Sequence, residues 1–163
     1  MKILLVSPLG FAINKDTKYA GIEQLVWNYA QELAKEHEVL VMARNDSIFP
    51  PNIKVLAYTF RLNEDVFLLS EIHHFQQYQS YFRQVDIIHD FSHQHLAARF
   101  MPNMPTLNIF WHAPAVAQYP KAPYNIIGLS AWACREFRRV YKQEARYQQS
   151  ICINTELYKL SDI

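Results

Sequence analysis

The first third of the chain contains continuous apolar runs and one stretch in which apolar residues recur at helical spacing. The run from Lys2 to Val6 is rich in Ile, Leu and Val and ends at Ser7-Pro8, as is typical of a strand buried on both faces of a parallel sheet. Over residues 21–34 apolar side chains recur at helical spacing, which predicts an amphipathic helix. Two further apolar runs, 38–43 and 53–57, predict strands.

The rest of the chain continues this alternation. Residues 63–84 are polar and aromatic without Pro or Gly, which predicts a helix. Ser130 is placed to cap a long helix over residues 131–148. Shorter patterns predict strands at 85–89, 106–110, 125–129 and 150–153, and a short helix at 94–100.

This order predicts an α/β fold: Rossmann-like and doubly wound, with a mainly parallel sheet and helices on both faces. The chain has 163 residues, 50% of them hydrophobic, a size at which one compact core forms. We therefore expect a single domain over residues 1–163. In such sheets ligands bind at the carboxyl ends of the strands, so functional residues are sought there.

Charge and cysteine content narrow the classes of partner. Charged residues make up 19% of the chain and the formal net charge is +1. The overall charge is therefore too small to indicate nucleic acid as the binding partner. Cys134 and Cys152 lack metal-ligand spacing and are interpreted as free thiols of a reducing compartment. The apolar start ends at Ser7, too early for a signal peptide or a membrane span, so we expect a cytoplasmic protein.

Two candidate site residues follow from placement alone. Gly21 opens the first helix, where backbone N–H groups can face a phosphate, although a plain helix start explains a lone glycine equally well. His112 follows the predicted strand at 106–110, where an imidazole can hydrogen-bond a ligand hydroxyl. A loop histidine without a role is the alternative interpretation.

A histidine-rich segment follows the predicted strand at 85–89. His89, His93 and His95, with Asp90, raise the question of a metal site, because imidazole and carboxylate are usual ligands of zinc or iron. The spacing argues against it, since His93 and His95 cannot share a helical face two residues apart. A cleft-lining or a structural role remains for these side chains. We expect His73-His74 to be solvated surface.

Basic side chains gather on the helix predicted after Ser130. One hypothesis is contact with anionic lipid or with an acceptor phosphate. The other is an ordinary solvated face that Glu136 and Glu144 partly neutralise. Ser130 can also touch a substrate, although its capping role explains it without that. The cations are Arg135, Arg138, Arg139 and Lys142.

Motifs along the whole chain resemble, in order, the N-terminal domain of glycosyltransferase family 4. The opening strand, Ala20-Gly21 with the helix after it, and His37-Glu38-Val39 are similar to the family's first strand, glycine-rich turn and first helix. Later strand ends and the crossing into a second domain are matched by Asp86-Ile87-Ile88-His89-Asp90-Phe91-Ser92-His93, Trp111-His112, Leu129-Ser130 and Asn154-Thr155-Glu156-Leu157-Tyr158.

The resemblance implies the acceptor-side half of a retaining GT-B enzyme that moves a hexose from a nucleotide sugar to a glycan, lipid-linked or small-molecule acceptor. It implies that His112 is the catalytic histidine. The nucleotide sugar is a substrate, and no separate cofactor or metal is implied. A C-terminal domain or subunit would bind this donor, so the isolated chain is expected to be inactive, with possible contact at the inner membrane face. The implied cleft residues are Gly21, His89, Asp90, His93 and Ser130.

The sequence departs from the family pattern at several points. Ala20 and Glu36 stand where the family has glycines, a Pro-Asn-Gly before the crossing segment is missing, and the chain ends at Ile163, before the second domain. The alternative function is a non-catalytic module that binds a glycan or nucleotide and pairs with a separate donor-binding subunit. A dinucleotide-dependent oxidoreductase is weaker, because no GxGxxG follows the first strand.

Overall fold

The structure is a computed structural model that describes residues 1–17, 20–58, 67–112, 124–145 and 147–148. The predicted strand at 150–153 and the crossing segment lie outside these residues. The elements in chain order are β1 (Lys2–Val6), α1 (Gly21–Leu33), β2 (Glu38–Arg44), β3 (Ile53–Tyr58), α2 (Phe67–Phe82), β4 (Ile87–Asp90), α3 (Leu96–Phe100), β5 (Thr106–Phe110), β6 (Ile126–Gly128), α4 (Ala131–Tyr141) and β7 (Tyr147–Gln148).

The strands of the described residues form one parallel sheet of seven, in the order β3-β2-β1-β4-β5-β6-β7. This order starts at a central strand and runs outward in both directions, as in a Rossmann sheet. The predicted Rossmann-like, doubly wound α/β fold is therefore confirmed. The direction of winding changes between β1 and β4. In sheets of this kind ligands bind in the crevice above the carboxyl ends of the two strands at such a point.

Both faces of the central strand are buried, which explains its uninterrupted apolar sequence. Ile3 and Leu5 belong to the core that α1 covers, whereas Leu4 and Val6 belong to the core beneath α2 and α3. Phe137 of α4 packs against the outer strands in a third, smaller cluster.

The helix predicted over residues 131–148 is wrong at its C-terminal end. α4 ends at Tyr141, and Lys142 adopts a left-handed conformation with φ 57° while its N–H bonds the carbonyl of Arg138 at 2.9 Å. Farther on, β7 pairs with Ile127 and Gly128 of β6. The composition alone permits a longer helix, but pairing with the open edge of β6 satisfies the backbone instead.

The prediction of solvated surface at His73-His74 is wrong for the second residue. His73 is exposed, but His74 is only 2% exposed. Its Nε2–H donates to the carbonyl of Leu56 at 2.9 Å, which ties α2 to β3. Burial lowers the pKa of His74 to about 4, so this ring is a neutral part of the core.

Candidate functional site

The candidate site lies at the carboxyl ends of β1 and β4, where the sheet changes its direction of winding. The N–H of Phe91 donates to the carbonyl of Val6 at 2.8 Å, so the loop after β4 leaves the sheet held against β1. Four polar residues of this loop, Ser92 to His95, then cross the edge of the sheet before α3 begins at Leu96.

Asp90, the last residue of β4, shapes the start of this loop. Its Oδ1 accepts the backbone N–H of Ser92 at 2.9 Å and the Ser92 hydroxyl at 2.6 Å. The Ser92 oxygen in turn accepts the N–H of His95 at 3.2 Å. The carboxyl is 1% exposed, and burial raises its pKa to about 7 against the opposing effect of the Ser92 bonds. The carboxyl of Asp90 therefore titrates near neutral pH.

Glu71 of α2 binds the same loop from the other side. Its side chain is 3% exposed. One carboxylate oxygen accepts the backbone N–H of His93 at 3.1 Å and ring Nδ1–H of His93 at 2.8 Å. The second oxygen accepts the N–H of Gln94 at 3.1 Å. The helix α3 begins at Leu96 instead of the predicted residue 94, because His95 adopts a left-handed conformation with φ 45° that cannot belong to an α-helix.

His93 and His112 meet face to face at this edge. Their rings are stacked, with centroids 5.2 Å apart and planes inclined by 27°. Trp111 packs edge-on against His93 at 5.0 Å, and its indole N–H donates to the carbonyl of Phe91 at 2.9 Å. His93 and His112 are both partly exposed. Two imidazoles from neighbouring strand ends therefore lie together, next to an anchored indole, and Nε2 of His112 is buried.

His95 is the buried histidine of the cluster and is 0% exposed. Its ring stacks on Phe110 at 4.4 Å, and its Nδ1 lies 3.8 Å from Oδ1 of Asp90. Burial, and to a smaller extent the nearby His112 and His93, hold the pKa of His95 well below its ordinary value. The ring is therefore neutral and serves as packing beneath the exposed pair.

The turn at the start of α1 closes the site from the opposite layer. Gly21 is exposed at the first position of α1, and a Cβ added there would meet open space within 4 Å. Two residues on, the carboxylate of Glu23 is 6% exposed and accepts the N–H of Phe11. Burial raises the pKa of Glu23, and the charge of nearby His93 opposes that shift. The Gly21 turn thus lies near the rings of His93, Trp111 and His112, which we call the His93 cluster.

His89 is placed apart from Asp90. In the sheet register His89 pairs with Leu5 and Asp90 with Val6, and Leu5 and Val6 belong to cores on opposite faces. His89 therefore points to the α1 face while Asp90 points to the α2 and α3 face. Burial lowers the pKa of His89 to about 4, so its ring is neutral.

Ser130 caps α4 as predicted, because its Oγ accepts the N–H of Ala133 at 3.1 Å. It follows β6, two strands from β4 in the sheet, so the structure does not bring it into the His93 cluster.

The basic face of α4 is partly neutralised, as the solvated-face interpretation expects. Arg138 pairs with Glu144, and Arg139 pairs with Glu136 at 2.9 Å. Arg135 and Lys142 are exposed on the same helix or at its end. Together with Arg138, Arg139 and Glu144 they line one shallow surface depression. An exposed aromatic ring, Trp132, precedes them in the first turn.

Two further properties concern metals and membranes. Among the described residues, no three His, Cys, Asp or Glu side chains are grouped closely enough to hold a metal ion. In that same part of the chain, no helix combines the length and the apolarity needed to cross a membrane.

Sequence reasoning missed Glu71 and Glu23, the two buried acids that hold the site loops. Glu71 carried a signal, since α2 contains one acidic residue and neither Lys nor Arg. A lone acid in such a helix requires a partner elsewhere when it is buried. Glu23 sits at a helical position beside Ile22 and was indistinguishable from a solvated first-turn acid.

No protein-family model matches the chain, and no curated protein sequence matches it. Among solved structures, a chain of sucrose-phosphate synthase from Thermosynechococcus elongatus is similar, with a TM-score of 0.60 and 15% identity. The match covers 95% of this chain and 90% of that chain. At this identity the likeness shows the fold alone: this chain has an α/β, Rossmann-like fold in common with that chain.

Proposed function

We propose that the chain is the acceptor-binding half of a retaining glycosyltransferase, which moves a hexose from a nucleotide sugar to a glycan, lipid-linked or small-molecule acceptor. The observation that carries this proposal is the stacked pair His93 and His112 at the crevice between β1 and β4. Imidazole nitrogens hydrogen-bond hydroxyl groups in either direction, which suits a sugar. The shared fold with a sucrose-phosphate synthase supports the same class of reaction by analogy.

In this function His112 contacts the reacting sugar, and His93 with the Gly21 turn lines the acceptor cleft. Asp90 is buried and holds the loop that carries His93. Rate enhancement comes from orienting the two substrates and from stabilising charge on the departing nucleoside diphosphate. The nucleotide sugar is bound by a second domain or subunit that faces the same crevice. His89 faces α1 and Ser130 lies two strands away from β4, so neither is assigned to this cleft.

Binding to the 163-residue chain tests the acceptor half directly. We expect a hexose 6-phosphate, titrated into isotope-labelled protein, to shift the NMR signals of His93, His112 and Gly21. His112→Ala should weaken binding by roughly tenfold, the value of about one hydrogen bond. His73→Ala, which removes an exposed histidine of α2, is the matched control and should bind like the wild type.

Transfer is tested by adding a donor-binding domain or subunit and measuring consumption of nucleotide sugar. Acceptor-dependent consumption that His112→Ala abolishes would support the proposal. Binding of hexose phosphate without any turnover would favour the non-catalytic module instead. Absence of binding at the β1 and β4 crevice would refute both.

The basic face of α4 has a second proposed role, contact with phosphate groups of an anionic membrane or acceptor. Trp132 supports it, because an exposed tryptophan beside cations suits the interface between water and lipid. Arg135 and Lys142 are the cations best suited to this contact, since Arg138 and Arg139 already have carboxylate partners.

A further inference from the structure

A buried carboxylate in α2 is devoted to the loop that carries His93. Glu71 accepts three hydrogen bonds, all from residues 93 and 94, and its side chain is 3% exposed. A carboxylate placed there is costly unless the donors compensate it. The two backbone N–H groups are enough to hold the loop against Glu71. The third bond, from the ring of His93, is not needed for that purpose.

That third bond decides which nitrogen of His93 carries the proton. A carboxylate oxygen accepts, so Nδ1 must donate at the observed 2.8 Å. In the neutral ring Nε2 is then an acceptor, because one imidazole nitrogen donates and the other accepts. The side chain of His93 is 23% exposed, so part of it is accessible to a ligand.

We propose that Glu71 is a positioning residue that fixes His93 as the Nδ1–H tautomer, so that Nε2 accepts a hydrogen bond from a hydroxyl of the sugar acceptor. This inference rests on the proposed function for the identity of the ligand. The assignment of the tautomer does not.

Other elements packed around His93 hold the ring in one plane. Trp111 meets it edge-on, and His112 stacks on it. Glu23 of α1 and His95 of the same loop also lie near His93. Orientation by neighbouring rings and tautomer selection by Glu71 together give a directed acceptor atom.

Two substitutions of His93 separate this role from a purely structural one. The amide nitrogen of His93→Asn reaches about as far as Nδ1, so this variant keeps the bond to Glu71 but has no atom at the position of Nε2. His93→Gln reaches about as far as Nε2 and places an amide oxygen there. If Glu71 and His93 only hold the loop, His93→Asn will bind hexose 6-phosphate like the wild type. In our inference it binds roughly tenfold more weakly, and His93→Gln retains more affinity.

The tautomer itself is read from two-bond ¹⁵N–¹H correlations of the histidine rings, without any ligand. We expect His93 to show the Nδ1–H pattern in the wild type and in Glu32→Gln, a control at an exposed acid of α1. In Glu71→Gln the Nε2–H form should gain population, because an amide can either accept from the ring or donate to it. An Nε2–H pattern in the wild type would overturn the inference.

The two readouts keep the proposals apart. An Nδ1–H ring combined with no binding of hexose 6-phosphate would support the positioning role of Glu71 and refute the proposed acceptor function. Wild-type affinity of His93→Asn would refute the role of Nε2 even if the acceptor function holds.

Discussion

Substitution of Asp90 by Asn should change how the stability of this protein depends on pH. The carboxyl is 1% exposed at the end of β4, and burial raises its pKa from 3.8 to about 7. Asn keeps an oxygen for the N–H and hydroxyl of Ser92 but cannot ionise. The substitution therefore removes the titration while it preserves most of the turn.

The sign and size follow from proton linkage. Between pH 4 and 7 the folded protein keeps a proton on Asp90 that the unfolded chain releases, so the contribution of Asp90 to stability is lost as pH rises. Each pKa unit is worth 1.36 kcal/mol, so a shift of about 3 units amounts to about 4 kcal/mol. His74 and His89, with pKa values near 4, act in the opposite direction as pH falls below about 6.5.

The measurement is urea unfolding, followed by tryptophan fluorescence, of wild type and Asp90→Asn from pH 4 to 8. The histidine contributions are common to both proteins, so the difference isolates Asp90. We expect the free energy of unfolding of Asp90→Asn, relative to wild type, to increase by about 4 kcal/mol across this range. Loss of the hydrogen bond that the N–H of Ala97 donates to the carboxyl of Asp90 adds an offset that does not vary with pH.

Ser92→Ala is the matched control. It removes the hydroxyl bond that lowers the pKa of Asp90, so its stability should fall over a pH range that extends higher than in the wild type. A difference between Asp90→Asn and wild type that stays constant from pH 4 to 8 would refute the reasoning.

Two further predictions concern α4. Gly128→Ala would place a Cβ 2.3 Å from Sγ of Cys134. We therefore expect the free energy of unfolding, measured in urea, to fall by about 1–3 kcal/mol and to recover in part when Cys134→Ala is added. No recovery would mean that the sulfur is not the obstacle. Arg135→Gln with Lys142→Gln should weaken sedimentation with phosphatidylglycerol vesicles by roughly 30-fold, at about 1 kcal/mol per cation, whereas Lys15→Gln should not. Equal vesicle binding by all three proteins would indicate an ordinary solvated face.

The sequence was sufficient for the fold because the sheet is buried on both faces. Continuous apolar runs such as Lys2–Val6 are easily recognised as buried strands. The amphipathic helix predicted at 21–34 differs from α1 by one residue. It was insufficient where long-range pairing decided the outcome. The segment after Tyr141 has acceptable helical propensity, and only the open edge of β6 draws Tyr147–Gln148 into the sheet.

The candidate site was predicted in part for the same reason. His93 and His112 follow strands and Asp90 ends one, so their meeting at one edge follows from the topology. The predicted strand ended at residue 89, whereas β4 ends at Asp90. His89 therefore lies inside the strand and points to the face opposite Asp90, which the prediction did not show. Glu71 belongs to a helix whose orientation over the sheet is a tertiary property, so no local pattern connects it to His93.

Buried acids, rather than a glycine-rich fingerprint, hold the loops of this site. Glu23 binds the N–H of Phe11, Glu71 binds those of His93 and Gln94, and Asp90 binds that of Ser92. The loops are thereby fixed before any ligand arrives, which lowers the entropic cost of binding. The same acids oppose an anion beside His93, because like charges at short range repel strongly where water is excluded. In the proposed function, a sugar hydroxyl is therefore the group that fits beside His93, and the phosphate of an acceptor or donor must be bound farther along the crevice.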